Sequence, residues 1–396
     1  VNFVFISPHF PEAFRFFCIR LKENGVNVLG VGDTPYDNLH PDLKAALTEY
    51  YRVDTMEDYD AMVRALGYFT FKYGKIHWLE SNNEYWLEQD AKLRTDFNIT
   101  TGLKTADLDR FKYKSAMKEY YQKAGIPVAR YHMVSTLEAG LEFVQSVGYP
   151  VVVKPDNGVG AMATYRLKNE AELRAFYQEI PAAAYIMEEY VSGEVTTYDG
   201  VVNSKGEVLF ATSHITKNSI MDMVNEGVAC YYYVNKEMPP EVEEAGRKVL
   251  AAFGAKSRAF HLEFFRLTEA KENLGQVGDI VALEVNMRPA GGYTPDMINF
   301  ANSVDLYQIW ADMVAFDERR HQYGGEKHYC AYCGRRDGVN YVHTPEDINR
   351  TYAHAMKLST RMPDALAGTM GNQVYIACFD TLDGVDDFVR YAFSVG

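Results

Sequence analysis

Positive charge is in short supply. Lys and Arg total 40 against 54 Asp and Glu in 396 residues, a formal net charge of −14. Extended nucleic-acid and anionic-membrane surfaces need concentrated positive charge, so neither partner is expected and only a local basic pocket stays open. Long apolar runs are missing too, and nothing approaches the ~18 residues of a membrane span. Cysteine is scarce: of five, Cys18, Cys230 and Cys378 are solitary, which gives no disulfide framework and fits a reducing, cytoplasmic setting. Cys330 and Cys333 have metal-ligand spacing with His328 nearby, but no second Cys/His pair follows, and a half-buried strand through 329–332 is the expectation. There are no repeats and no low-complexity tract. The opening Val1-Asn2-Phe3-Val4-Phe5-Ile6 lacks a basic leader region and reads as a strand. What is present is a 47% apolar fraction, enough for a large core, in a chain long enough for two or three domains.

The first hundred residues alternate as an α/β protein does. Phe3–Ile6, Val26–Val31 and Ile76–Leu79 read as strands, and Glu12–Glu23 and Tyr59–Tyr73 as helices. Such alternation predicts a parallel sheet with its ligand end at the strand carboxyl termini, where Glu80-Ser81-Asn82-Asn83-Glu84 forms a polar exit. No GxGxxG follows the first strand. From Asp109 the texture changes to a Lys-rich helix (112–123), a helix 137–147, a strand ending at Lys154, a Gly-containing loop, a strand 164–167, a helix 170–179 and a strand 185–189, together a compact βαβ-like unit. Gly193 to about Pro295 reads as a mostly antiparallel sheet with one helix, and 304–396 as a helix, short strands and a final helix near 385–393.

Gly158-Val-Gly160-Ala-Met-Ala163 fits a dinucleotide fingerprint, which needs a helix to start in the loop. Here the following residues look extended, so strand, lysine, proline, glycine turn and strand make a hairpin able to close over a triphosphate with backbone N–H groups. A plain hairpin with an edge-protecting lysine is the alternative. Leu262-Glu263-Phe264 and Leu283-Glu284-Val285-Asn286 are apolar strands interrupted by carboxylates. Glu284 and Asn286 project to one side, and carboxylates converging there would repel without cations between them. Hard oxygen ligands of this kind suit Mg²⁺. Arg288 falls on the same face, before the tight turn Pro289-Ala290-Gly291-Gly292. A surface strand pair with salt bridges is the plainer reading.

In chain order, Lys114-Ser-Ala-Met-Lys118, Tyr149-Pro150-Val-Val-Val-Lys154-Pro155, Glu188-Glu189-Tyr190-Val191-Ser-Gly193-Glu194 and Leu283-Glu284-Val285-Asn286-Met-Arg288-Pro289 resemble the motifs of the ATP-grasp superfamily. The resemblance is to its carboxylate–amine ligase branch, near biotin carboxylase and phosphoribosylglycinamide synthetase. It covers about Asp109–Asp296 strongly and the N-terminal part more loosely. It implies an α/β and α+β chain: a parallel-sheet domain at 1–108, a small lid lobe at 109–192, and a larger antiparallel lobe with the metal site and a C-terminal extension at 193–396. It further implies that Lys114 and Lys154 contact ATP phosphates beneath loop Asn157, Gly158, Gly160 and Ala161. Glu188 would accept the adenine amino hydrogen or orient the hinge, the backbones of Glu189 and Val191 on either side of Tyr190 would pair with adenine, and Glu194 would accept from ribose. Glu263, Glu284 and Asn286 would hold one or two Mg²⁺ ions, with Mn²⁺ able to substitute. Ala161 departs from the hydroxyl residue often found in relatives.

The same resemblance implies an enzyme that phosphorylates a small carboxylate and passes the acyl group to an amine, releasing ADP and phosphate, with Arg288 and Lys154 neutralising charge. Pro289-Ala290-Gly291-Gly292 stands where biotin carboxylases carry Gln-Val-Glu-His, which favours amino-acid ligation, with the turn at Gly291 and Gly292 receiving a substrate carboxylate. A phosphoribosylglycinamide-synthetase-like or carboxylase-like enzyme and a non-catalytic ATP sensor are the alternatives, and a homodimer stays open. The polar, Met-rich stretch His214–Gly227 is expected to be a loop over the substrate, with His214 either a base or a solvated turn residue.

Overall fold

The computed structural model of the protein describes residues 1–158, 163–180, 182–217 and 229–396. Its first strand, β1 (Asn2–Ile6), buries Phe3, Val4, Phe5 and Ile6 completely. A strand apolar on both faces has to be covered on both, which suits the middle of a parallel sheet. With β2 (Asn27–Gly32), β3 (Glu49–Arg52) and β4 (Trp78–Glu80) it forms a parallel sheet of order β3-β2-β1-β4. Val4 and Ile6 pack on Met62, Leu66 and Phe69 of the helix Tyr59–Tyr73. Phe3 and Phe5 instead meet Phe17 and, at ring-centroid distances of 5.6 and 6.4 Å, Trp310 of the helix Leu306–Phe316. An aromatic core thus fastens the N-terminal sheet to the last quarter of the chain.

β5 (Tyr131–Met133), β6 (Val151–Pro155), β7 (Tyr165–Leu167) and β8 (Tyr185–Glu189) form a second sheet of order β5-β8-β6-β7, antiparallel at every pairing. The helix Glu170–Gln178 carries the chain between β7 and β8, two strands of the same direction, but β6 lies between them and opposes both. The sequence pattern shows the crossover and not the inserted strand.

The third sheet contains β9 (Gly193–Val202), β10 (Val208–Thr212), β11 (His214–Thr216), β12 (Cys230–Val234), β13 (Arg258–Leu267), β14 (Ile280–Asn286), β15 (Tyr329–Arg335), β16 (Met356–Arg361) and β17 (Gln373–Phe379). Its path is β14-β13-β9-β11-β12-β15-β17-β16, with β10 beside β9, and the pairings are antiparallel. The sheet expected to end near Pro295 therefore continues through residue 379. The helices Pro240–Phe253 and Lys114–Ala124 cover one side of it, where Tyr121 and Phe253 meet at 5.2 Å. The lysine helix begins at Lys114 because Tyr113 is extended, and it ends as expected at Gly125, whose φ of 71° is left-handed. Cys330 and Cys333 lie on opposite faces of β15, one packed in the core around Trp310 and the other in the core around Phe388, so they cannot share a metal ion. Among the described residues no helix is long and apolar enough to cross a membrane.

Candidate functional site

All three sheets border one cavity of about 900 Å³. The parallel sheet presents the carboxyl ends of its strands to it, through Ser7, Asp33 and Glu84, as that topology requires. The second sheet contributes Lys154 and Glu188, and the third contributes Glu263, Glu284, Asn286 and His214.

Lys114, Lys118 and Lys154 reach into this space, which Lys217 also borders. Lys114 and Lys118 stand one turn apart on the same helix face, and both are buried. The Lys114 ammonium donates to Gly158 O at 2.9 Å and pairs with Glu284 Oε1 at 2.9 Å. Lys154 lies 2.5 Å from Glu188 Oε2, and Lys118 contacts the other oxygen of the same carboxylate. Burial alone would push the Glu188 carboxyl up, but Lys118 and Lys154 overcome this and bring it down to about 2. Glu188 is therefore an ionised clamp on two lysines, at the start of the hinge it was expected to orient or to extend toward adenine. Lys118 was missed as a site residue, although its spacing of four from Lys114 carries the signal. Asp156 joins the two elements behind the lysines by accepting from Ser115 N and Ser115 Oγ, each at 2.8 Å.

The hinge expected at Glu189–Val191 lines the cavity. The Glu189 carboxylate faces away from it and is saturated: it accepts from Arg130 N at 2.8 Å, the Arg130 guanidinium at 2.8 and 3.0 Å and Asn273 at 2.6 Å, and pairs with Lys271 at 2.9 Å. The Glu189 N–H donates to Arg130 O at 3.0 Å. Lys271 also donates to Tyr190 O at 2.9 Å. Glu194 does not line the cavity. Gly193 and Val195 do, so strand alternation turns Glu194 outward, where it pairs with Lys217. Asn157 is exposed and outside the lining, whereas Gly158 is within it. Gly160 and Ala161, and the Met221–Glu226 part of the expected substrate loop, fall outside the described residues.

On the third sheet, Glu263 stands directly opposite Glu284, and His261 opposite Asn286. A bulge follows at once: Phe264 pairs with Ala282, leaving Leu283 as an extra residue. Bulges re-aim side chains next to sites of this kind. Each carboxylate already has a cation, Glu284 through Lys114 and Glu263 through His261 Nε2 at 3.0 Å. Two carboxylates and an amide on one face match the hard-oxygen preference of Mg²⁺, so the residues present fit that ion. Arg288 follows, its Nη1 donating to Pro289 O at 2.9 Å and its Nε 3.6 Å from Glu84 Oε2. Gly291 and Gly292 line the cavity beside it.

Glu84 was missed as a site residue, although it ends the polar exit of β4. Its Oε2 is buried without a hydrogen bond, Lys112 lies 3.6 Å from its other oxygen, and burial pushes its carboxyl up despite Arg288. His214 is not on a loop. It opens β11, is buried, and meets Asp199 Oδ2 at 2.7 Å through Nδ1.

The ATP-grasp domain family matches residues 119–299, a span that takes in Lys154, Glu188, Glu263, Glu284, Asn286 and Arg288 and begins five residues after Lys114. The chain carries an ATP-grasp domain. Among curated relatives, the L-arginine-specific L-amino acid ligase of Bacillus subtilis is 24% identical over 319 residues, covering 78% of this chain and 74% of that enzyme. The mitochondrial carbamoyl-phosphate synthase [ammonia] of Mus musculus is 24% identical over 231 residues, which cover 55% of this chain but 14% of that enzyme. Among solved structures, the L-amino acid ligase from Bacillus licheniformis superposes with a TM-score of 0.72 at 15% identity, covering 98% of this chain and 96% of that one. At that identity the likeness speaks for the ATP-grasp fold.

Proposed function

We propose that this protein is an ATP-dependent carboxylate–amine ligase acting on amino acids: it forms an acyl phosphate from one substrate and joins it to the amine of another, releasing ADP and phosphate. The observation that carries this reading is the arrangement around the cavity. Three ammonium groups stand on one side, Glu263, Glu284 and Asn286 on another, and Arg288 with the Gly291–Gly292 turn at the end nearest the parallel sheet. Lysine suits the phosphate side because its ammonium is a mobile point charge that can follow a phosphoryl group. Arg288 is placed to neutralise charge on the carboxylate as it is phosphorylated, and Glu84 beside it suits the ammonium group of an amino acid. Glu263, Glu284 and Asn286 would hold Mg²⁺, which would supply positive charge to neutralise phosphate. The backbones of Glu189 and Val191 would form the adenine edge. Residues 1–108 supply the substrate end, 109–192 the lid and 193–396 the metal face.

The test is a screen of amino-acid pairs with ATP and Mg²⁺, scored by ADP release and by the mass of the ligated product. Stoichiometric AMP and pyrophosphate would overturn the reading, as would ATP binding without turnover in every pair. Glu284→Gln keeps the shape and removes a charge, so turnover should fall by ~10²-fold or more in a folded protein. Near-normal turnover would remove Glu284 from the metal face.

A further inference from the structure

One buried polar chain runs across the third sheet from β11 to β13. Asp199, on β9, accepts from two imidazoles at once: His214 Nδ1 lies 2.7 Å from Oδ2 and His261 Nδ1 lies 2.6 Å from Oδ1. The Thr197 hydroxyl donates to Oδ2 at 2.5 Å. Burial opposes ionisation of Asp199, but the histidines hold its carboxyl well below the usual range. A carboxylate only accepts, so both Nδ1 atoms carry hydrogen. The second nitrogens of the two rings differ. His261 Nε2 meets Glu263 Oε1 at 3.0 Å, so His261 lies between two carboxylates and both its nitrogens are occupied. His214 lines the cavity, and its Nε2 has no hydrogen-bond partner among the described residues. With Nδ1–H committed to Asp199, Nε2 is the ring nitrogen of His214 left to meet a substrate in the cavity, where a general base must stand. The titratable groups facing it are Asp199 from β9, His261 and Glu263 from β13, and Tyr232 from β12, with ring centroids 5.5 Å to His261 and 5.7 Å to Tyr232.

We propose that His214, oriented by Asp199, is the base that takes a proton from the incoming ammonium group before it attacks the acyl phosphate. This rests on the ligase reading above and adds a residue to it. Nε2 takes one proton from the ammonium. The free amine then forms the C–N bond as the C–O bond to phosphate breaks, and its second proton leaves with phosphate as hydrogen phosphate. The register places the base on the same sheet face as Glu263 and two strands away, at roughly 10 Å by strand spacing, which separates the second substrate from the phosphoryl-transfer end.

Hydroxylamine separates the two halves of the reaction, because it is uncharged at neutral pH and needs no base to attack. The twenty proteinogenic amino acids are supplied with ATP and Mg²⁺, with and without hydroxylamine, and hydroxamate and dipeptide are quantified by mass. In His214→Gln, dipeptide formation should fall ~10²–10³-fold relative to hydroxamate formation, which also reports that the fold and the ATP site survive. The remaining ligation should rise with pH as more of the substrate amine becomes free. His214→Asn, a smaller replacement, should show the same split and covers the case in which the first variant misfolds. Equal loss of both products, or unchanged dipeptide formation, would overturn the role of His214. Absence of hydroxamate in the unaltered protein would overturn the ligase reading, and this inference with it.

Discussion

Glu188 and Glu80 are buried carboxylates each held by two cations, and they do opposite things with them. Glu188 borders the cavity and is gripped by Lys118 and Lys154. Glu80 lies behind it, 2.7 Å from Arg94 Nη2 and 2.9 Å from Arg258 Nη2. Arg94 is wholly buried and spends its other donors on Leu79 O at 2.9 Å and Leu103 O at 2.8 Å. Arg258 donates to Met287 O at 3.0 Å, directly before Arg288. The arginine cluster is a fixed joint between the parallel sheet and the metal strand, with planar donors locked to backbone carbonyls. The lysine cluster has flexible four-carbon stems and one shared counter-ion, so on the proposed function its cations would exchange Glu188 for phosphate. Arginine builds where geometry has to be permanent, and lysine where charge has to move.

Breaking the fixed joint should have the largest effect. Glu80→Gln leaves two guanidinium groups buried without a counter-charge, and the expected loss is ~3–5 kcal/mol of unfolding free energy, read from urea titration. A loss under 1 kcal/mol would show that the arginines are satisfied by the carbonyls alone. Lys154→Met should separate the two clusters in the other direction. Glu188 keeps Lys118, so the urea midpoint should barely move, while kcat falls ~10²–10³-fold, roughly 3–4 kcal/mol of barrier, and the KM for ATP rises. Unchanged kinetics would assign Lys154 to the plain edge-strand role. The smallest effect is the sharpest test of the distinction. Arg94→Lys preserves charge but cannot reach Glu80, Leu79 O and Leu103 O together, so a loss of about 1–2 kcal/mol is expected with activity retained. A neutral result would mean that the fork geometry is not what holds the joint.

Much of the fold is legible from local pattern. The helices Tyr59–Tyr73 and Leu137–Val147 and the strand Tyr185–Glu189 appear at their expected bounds, because apolar spacing, Asp58 and Thr136 as N-caps, and glycines at 74 and 148 all agree. Of the site, Lys154, Glu284, Asn286 and Arg288 stood out as polar residues on strands too apolar to tolerate them unpaired. Glu84 and Asp199 did not. Glu84 sits in a polar loop where a carboxylate is unremarkable, and Asp199 gains its partners only when β11 and β13 bring two histidines against it. His214 looked like part of a loop because the residues after it are polar, whereas its own environment is set by strands 17 and 47 residues away.

What the sequence by itself determined is therefore periodic and local: which segments are helices and strands, which strand residues are anomalous, and that Glu284 and Asn286 share a face, since side chains on a strand alternate with a fixed period of two. What only the tertiary structure decided is register and pairing. Whether Glu263 meets Glu284 depends on the extra residue at Leu283, whether Glu188 finds Lys118 depends on where the helix Lys114–Ala124 docks, and whether His214 sits in a solvated turn or on a buried strand depends on the pairing that sets Asp199 across from it. A shift of one residue between strands would turn each of these side chains to the opposite face, and the energy that fixes the register comes from burial over whole sheets rather than from the residues that carry the chemistry.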